Sequence, residues 1–248
     1  MSIAYRRIVL KIGGEFLCEG TSGATIVPER LQSLCQQIVT IRNLGVELAI
    51  VVGGGNIFRG HTYNDRDSGF RRNDADKMGM LATAINALAL RSYLEDIAIP
   101  CVVQSALALE GITPHFSVQD SLRALQSGRI VLLCCGTGNP FFSTDSAAAL
   151  RACELEADIL LKATKVDGVY DCDPFKNPDA KKFPKLSFRE VLEKNLQIMD
   201  RTALVLCMEN NIPIRIFSSQ RSGGIAEAVE NISLGTLIGN ENDIYGNG

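Results

Sequence analysis

The chain has 248 residues, 46% hydrophobic and 21% charged, which is enough apolar material for one large domain and too little charge bias for disorder. Its formal net charge of −3 excludes a general attraction to nucleic acid or anionic lipid, so any phosphate must be held by a local cluster of donors. No apolar run reaches transmembrane length, and Met1–Lys11 reads as a basic lead into a strand rather than a secretion signal, so a soluble cytoplasmic protein with no membrane partner is expected.

Short β-branched runs alternate with longer helical patterns, which predicts an α/β fold with a mostly parallel central sheet between helices. Strands are expected at Arg7–Ile12, Glu47–Val52, Cys101–Gln104, Ile130–Cys134, Ile159–Lys162, Ile214–Phe217 and Thr236–Ile238. A helix opens at Pro28 and stops near Leu44, where Gly45 follows. A second runs from Asp74 to Leu94, with Met78, Leu81, Ile85, Leu88 and Tyr93 recurring on one broad face. Ser117 with Asp120, and Ser187 with Glu190, are capping signatures ahead of two further helices. Residues 60–75 read as a loop, 163–186 as a loop-rich insertion broken by Gly168, Pro174, Pro178 and Pro184, and the polar tail from Gly239 to Gly248 is expected to fray. Eight cysteines without a CxxC pair, and only two histidines, support neither a disulfide framework nor a zinc site; most of the cysteines read as core filler.

Four segments stand where strands end, the edge at which open α/β sheets bind ligands. Lys11-Ile12-Gly13-Gly14-Glu15 follows the first strand and offers a cation beside bare backbone N–H groups, although on its own it also reads as a turn. Val52-Gly53-Gly54-Gly55-Asn56-Ile57-Phe58-Arg59 follows the second. Its glycines suit close approach of a ligand and Arg59 suits phosphate oxygens, but it is neither a Walker A loop nor a GxGxxG turn. Cys135-Gly136-Thr137-Gly138-Asn139-Pro140-Phe141-Phe142-Ser143-Thr144-Asp145 leads into an Ala-rich helix. Thr144 and Asp145 lie at that helix N-terminus, where Asp145 reads either as a simple N-cap or as a functional carboxylate. Lys162-Ala163-Thr164-Lys165-Val166-Asp167-Gly168-Val169-Tyr170-Asp171-Cys172-Asp173 places a lysine on a strand and Tyr170 with Asp173 beyond it; Val166–Val169 taken separately is a type I′ hairpin candidate. With two or three cations, many backbone donors and no nucleophile triad, the inventory fits phosphoryl transfer.

In this order and at these separations the four segments, together with Asp76-Lys77-Met78-Gly79-Met80-Leu81-Ala82-Thr83, resemble the bacterial UMP kinases of the amino-acid kinase family over nearly the whole chain. The resemblance implies that family's fold: one domain, with residues 1–157 mainly binding UMP, 158–238 mainly binding ATP, and 239–248 a flexible tail. It implies Lys11, Lys162, Asp145 and Arg59 as catalytic residues, with Asp145 orienting the lysines. ATP would be met by Lys11, Ile12, Gly13, Gly14, Gly55, Arg59, Thr164, Tyr170 and Asp173. UMP would be met by Gly54, Asp76, Thr137, Gly138, Asn139, Pro140, Phe141, Phe142, Ser143 and Thr144. Mg²⁺ would arrive with ATP, no protein metal site is expected, and relatives of this kind assemble as hexamers activated by GTP and inhibited by UTP. Two departures stand out: Gly13 replaces a serine common in the family, and the loop His61–Arg72 is unlike it. Met199-Asp200 also matches a family feature, though Asp200 reads equally as a helix cap. A kinase with a different small acceptor and a non-catalytic uridine-nucleotide sensor are the competing readings.

Overall fold

The computed structural model describes residues 5–18, 24–59, 69–219 and 224–246. In chain order the elements are β1 (Arg7–Ile12), a short 3₁₀ turn (Gly14–Leu17), α1 (Pro28–Asn43), β2 (Glu47–Val52), α2 (Arg72–Asp96), β3 (Cys101–Ser105), α3 (Val118–Gln126), β4 (Ile130–Cys134), α4 (Thr144–Glu154), β5 (Ile159–Thr164), β6 (Val169–Tyr170), β7 (Lys182–Phe183), β8 (Lys185–Ser187), α5 (Phe188–Glu193), α6 (Arg201–Glu209), β9 (Ile214–Ser218), α7 (Gly224–Glu230), β10 (Thr236–Gly239) and α8 (Glu241–Tyr245). Eight strands form one sheet in the order β3-β4-β2-β1-β5-β9-β10-β8. Every neighbouring pair in it is parallel except β9 with β10.

The central strands are apolar at almost every position because both faces are covered. Ile8, Leu10, Ile12, Leu48, Ile50 and Val52 point into a core shared with α1, α2 and α7. Val9, Ala49, Val51 and Leu160 point the other way, against α3, α4 and α6. The period of two along each strand thus splits the hydrophobic residues between two cores. It also decides where Lys11 goes: two residues after Val9, it emerges on the α4 side.

All seven predicted strands form, four ending one or two residues later than expected. Ser117 caps α3 through the Asp120 N–H, and Ser187 makes the full reciprocal box with Glu190 at α5. Four expectations need correction. The stripe of Met78, Leu81 and Ile85 on α2 does not face the core; these side chains are 37%, 46% and 50% exposed. The sheet receives the smaller face bearing Ala75, Ala82, Thr83, Asn86 and Ala87, because α2 approaches so closely that a Cβ on Gly54 would stand 2.8 Å from the Gly79 carbonyl oxygen. Helix α2 also begins at Arg72, inside the expected loop. The tail carries α8 and packs on the body of the chain: Ile244 is 5% exposed, and the Tyr245 hydroxyl donates to Glu190 Oε2 at 2.7 Å. Finally, Val166–Val169 is no hairpin turn, since β6 pairs antiparallel with β7 across an eleven-residue excursion that retains Val169 in the core. Residues 60–68, with His61 and most of the unusual loop, lie outside the described residues.

Candidate active site

β1 and β5 are adjacent and parallel, and their register sets Lys11 directly beside Lys162. Two ammonium groups side by side would repel, and a carboxylate from α4 stands between them. Lys162 Nζ donates to Asp145 Oδ2 at 2.5 Å and to the Ile198 carbonyl oxygen at 2.6 Å. Lys11 Nζ lies 3.1 Å from Asp145 Oδ1, an ionic contact without the alignment of a hydrogen bond. The three side chains are only 10–15% exposed. Burial alone would raise the Asp145 carboxyl, but the two ammonium groups outweigh it and hold the group below the usual carboxylate range. Burial draws Lys162 below its ordinary value, with Asp145 opposing the shift and the like charge of Lys11 adding to it.

Asp145 is free for this task because Ser143, not Asp145, caps α4: the Ser143 hydroxyl accepts from the Asp145 and Ser146 N–H groups. Asp200 is a helix cap, and its carboxylate reaches further than that. It caps α6 by accepting from the Ala203 N–H at 2.9 Å, and it accepts from the Ser146 hydroxyl at 2.8 Å and from the Ser143 hydroxyl. The N-termini of α4 and α6 are thereby tied together beside the lysines.

Two clefts open on either side of Lys11. The first, of about 680 Å³, is lined by Lys11, Lys162, Thr164, Tyr170, Asp173 and the segment 194–198. Here Tyr170 donates to Asp167 Oδ1 at 2.5 Å, which pushes the phenol up to about 12, and Lys182 holds Asp167 Oδ2 at 3.0 Å. The Thr164 hydroxyl is turned back to the Val166 carbonyl oxygen, 2.7 Å away. The second cleft, of about 470 Å³, collects Gly54, Asp76, Thr137, Phe141, Phe142, Ser143 and Thr144. Gly13, Gly14, Gly55 and Arg59 open into this second cleft too, so the residues expected for ATP divide between the two sides. The Ile12 side chain is buried in the core and its carbonyl oxygen accepts from the Gly53 N–H at 2.8 Å; with Gly13, Arg59 and Thr164 it borders a smaller neighbouring cavity. Gly138, Asn139 and Pro140 form the outer turn of their loop and are absent from the lining of both clefts.

Two buried residues of α2 to which the sequence reading assigned no role set the loops in place: Thr83, the last residue of the motif quoted above, and Asn86. Thr83 accepts from the Cys135 N–H at 2.6 Å, where β4 gives way to the glycine-rich loop. Asn86, wholly buried, donates to the Gly53 carbonyl oxygen at 2.7 Å and exchanges amide bonds with Asn56 at 2.7 and 3.0 Å. Polar residues on an otherwise alanine-rich helical face were the available signal, because a buried amide is kept only where it is hydrogen-bonded. Gly14 shows how tight the assembly is: a Cβ there would fall 2.2 Å from Asn56 Oδ1 and 2.8 Å from the Gly55 nitrogen.

Comparison with known proteins places this geometry. The model of the amino acid kinase family matches residues 6–218. A uridylate kinase of Stutzerimonas stutzeri is 46% identical over 239 residues, 96% of each chain. One of Magnetococcus marinus is 49% identical over 233 residues, 94% of this chain and 95% of its own. The crystal structure of UMP kinase from Bacillus anthracis superposes with a TM-score of 0.91 at 34% identity, covering 96% of this chain and 97% of that one. The chain belongs to the amino acid kinase family, and its relatives there are uridylate kinases.

Proposed function

We propose that this chain transfers the γ-phosphate of ATP to UMP, giving UDP and ADP. The observation that carries the reading is the meeting of two clefts at Lys11, with the Lys11–Asp145–Lys162 arrangement at their junction. Donor and acceptor enter from opposite sides, so that a phosphate oxygen of UMP attacks the γ-phosphorus in line. The attacking group is already an anion, and no strong general base is required. Charge on the migrating phosphoryl group is met by the two ammonium groups and by N–H groups of the glycine loops, the positioning and electrostatic contribution that dominates phosphoryl transfer. Asp145 keeps both lysines aimed at that point.

In this reading residues 1–157 supply most of the UMP side and 158–238 most of the ATP side, each borrowing from the other: Asp200 and Thr202 border the UMP cleft, Lys11 and Glu15 the ATP cleft. Mg²⁺ enters as the ATP complex. Among the described residues no group of three or more His, Cys, Asp and Glu could hold a metal ion, and the phosphates supply the oxygen ligands this ion prefers. The exposed apolar stripe of α2 suits burial against a second copy, in support of a homohexamer. No helix among the described residues is long and apolar enough to cross a membrane; eight free cysteines, five of them buried, suit a reducing cytoplasm. GTP as activator and UTP as inhibitor complete the proposal.

A coupled assay of ADP release with UMP, CMP, dUMP, acetylglutamate and aspartate tests the acceptor. UMP should give the highest kcat/KM; absence of stimulation by UMP overturns the reading, and binding of UMP without UDP formation would favour a sensor. Adding GTP or UTP to the same assay tests the effectors.

A further inference from the structure

We infer that Arg72 is a positioning residue for the acceptor, acting through Asp76 rather than on the nucleotide itself. The inference rests on the reading of Asp76 as the side chain that meets the nucleoside. Arg72 opens α2 and Asp76 follows one turn later on the same face. The Arg72 Nε–H donates to both carboxylate oxygens, at 2.8 Å to Oδ1 and 2.7 Å to Oδ2. Oδ2 also accepts from the backbone N–H of Phe141 at 2.8 Å, and the guanidinium lies 5.6 Å from the centre of the Phe141 ring. One carboxylate therefore closes the first turn of α2 onto the loop after β4. Phe141 holds a left-handed backbone, φ +71°, a conformation disfavoured for a residue with a Cβ and sustained here by contacts on both its N–H and its ring.

A carboxylate offers about four acceptor sites. Among the described residues three are used, two of them on Oδ2, which leaves one on Oδ1 to receive a hydroxyl or N–H of the nucleoside. Arg72 thus fixes the rotation of Asp76 and selects the edge it presents.

Steady-state kinetics of Arg72→Ala, Arg72→Lys, Asp76→Asn and the Arg72→Ala/Asp76→Asn double variant, each checked for folding by thermal melt, test this. Arg72 is 37% exposed and its replacement should fold. Arg72→Ala should raise KM for UMP about tenfold, the scale of one charge-assisted hydrogen bond, with KM for ATP changed less than twofold. Lysine, which keeps the charge but not the planar fork, should recover only part. The double variant should be no worse than Asp76→Asn, because Arg72 acts on the acceptor through that carboxylate. Unchanged KM for UMP in Arg72→Ala, full recovery by lysine, or losses that add in the double variant would each overturn the inference. If Asp76→Asn itself leaves KM for UMP unchanged, the reading of Asp76 falls and takes the inference with it; if Asp76→Asn raises that KM and Arg72→Ala does not, only the inference falls.

Discussion

At the scale of single residues the site is an arrangement of opposed charges. Lys11 and Lys162 are neighbours only because two parallel strands share a register, and Asp145 makes that neighbourhood tolerable. Removing the carboxylate takes the ion pair from both ammonium groups and leaves Lys162 the Ile198 carbonyl oxygen. Asp145→Ala and Lys11→Ala should each lower kcat by roughly 100-fold or more, as loss of preorganised charge stabilisation does, in protein whose far-ultraviolet circular dichroism is unchanged; wild-type kcat in both would contradict the assigned roles. Lys162 adds a pH signature. Burial lowers its pKa, so its charge is lost on the alkaline side before the ordinary lysine value of 10.5 is reached. The profile of kcat/KM for ATP, which reports groups of the free enzyme, should fall below that value. Lys162→Arg, with a far more basic group, should carry the alkaline limb upward, and a limb that stays in place would assign it to another residue.

At the scale of elements, α2 is the part on which the site loops are hung. Its inner face is alanine-rich so that it lies close to the sheet, and Thr83 and Asn86 use that closeness to reach the ends of β4 and β2. Gly54→Ala tests this contact, since the added methyl would stand 2.8 Å from the Gly79 carbonyl oxygen and 2.9 Å from the Ala82 Cβ. Neither neighbour is a flexible chain end, so the loop must move: KM for UMP should rise several-fold or more while the cap at α5 is unaffected. Ser187→Ala is the counterpart away from the clefts. It breaks a capping box and should cost about 1 kcal/mol of stability, seen as a lower urea midpoint, with UMP kinetics intact.

For the whole molecule, the outer face of the same helix carries Met78, Leu81 and Ile85 on one exposed line. A helix that holds the acceptor loops on one side and buries against a second copy on the other would link assembly to the site. Leu81→Glu with Ile85→Glu should shift sedimentation toward smaller species; unchanged sedimentation would mean that this face is not an interface between copies.

The sequence by itself determined the alternation of strands and helices, the parallel sheet and the four strand-end segments, because apolar period, capping residues and glycine runs are local signals. It also named Lys11, Asp145 and Lys162, but left Asp145 open between a cap and a functional carboxylate. Only the tertiary structure gave the cap to Ser143 and, through the register of β1 with β5, set the lysines on either side of the carboxylate. The inward face of α2, the anchoring of Ile244, and the parts of Thr83, Asn86 and Arg72 were likewise decided in three dimensions. Periodicity shows that a helix has an apolar stripe, whereas which side meets the sheet depends on how closely the backbones can approach.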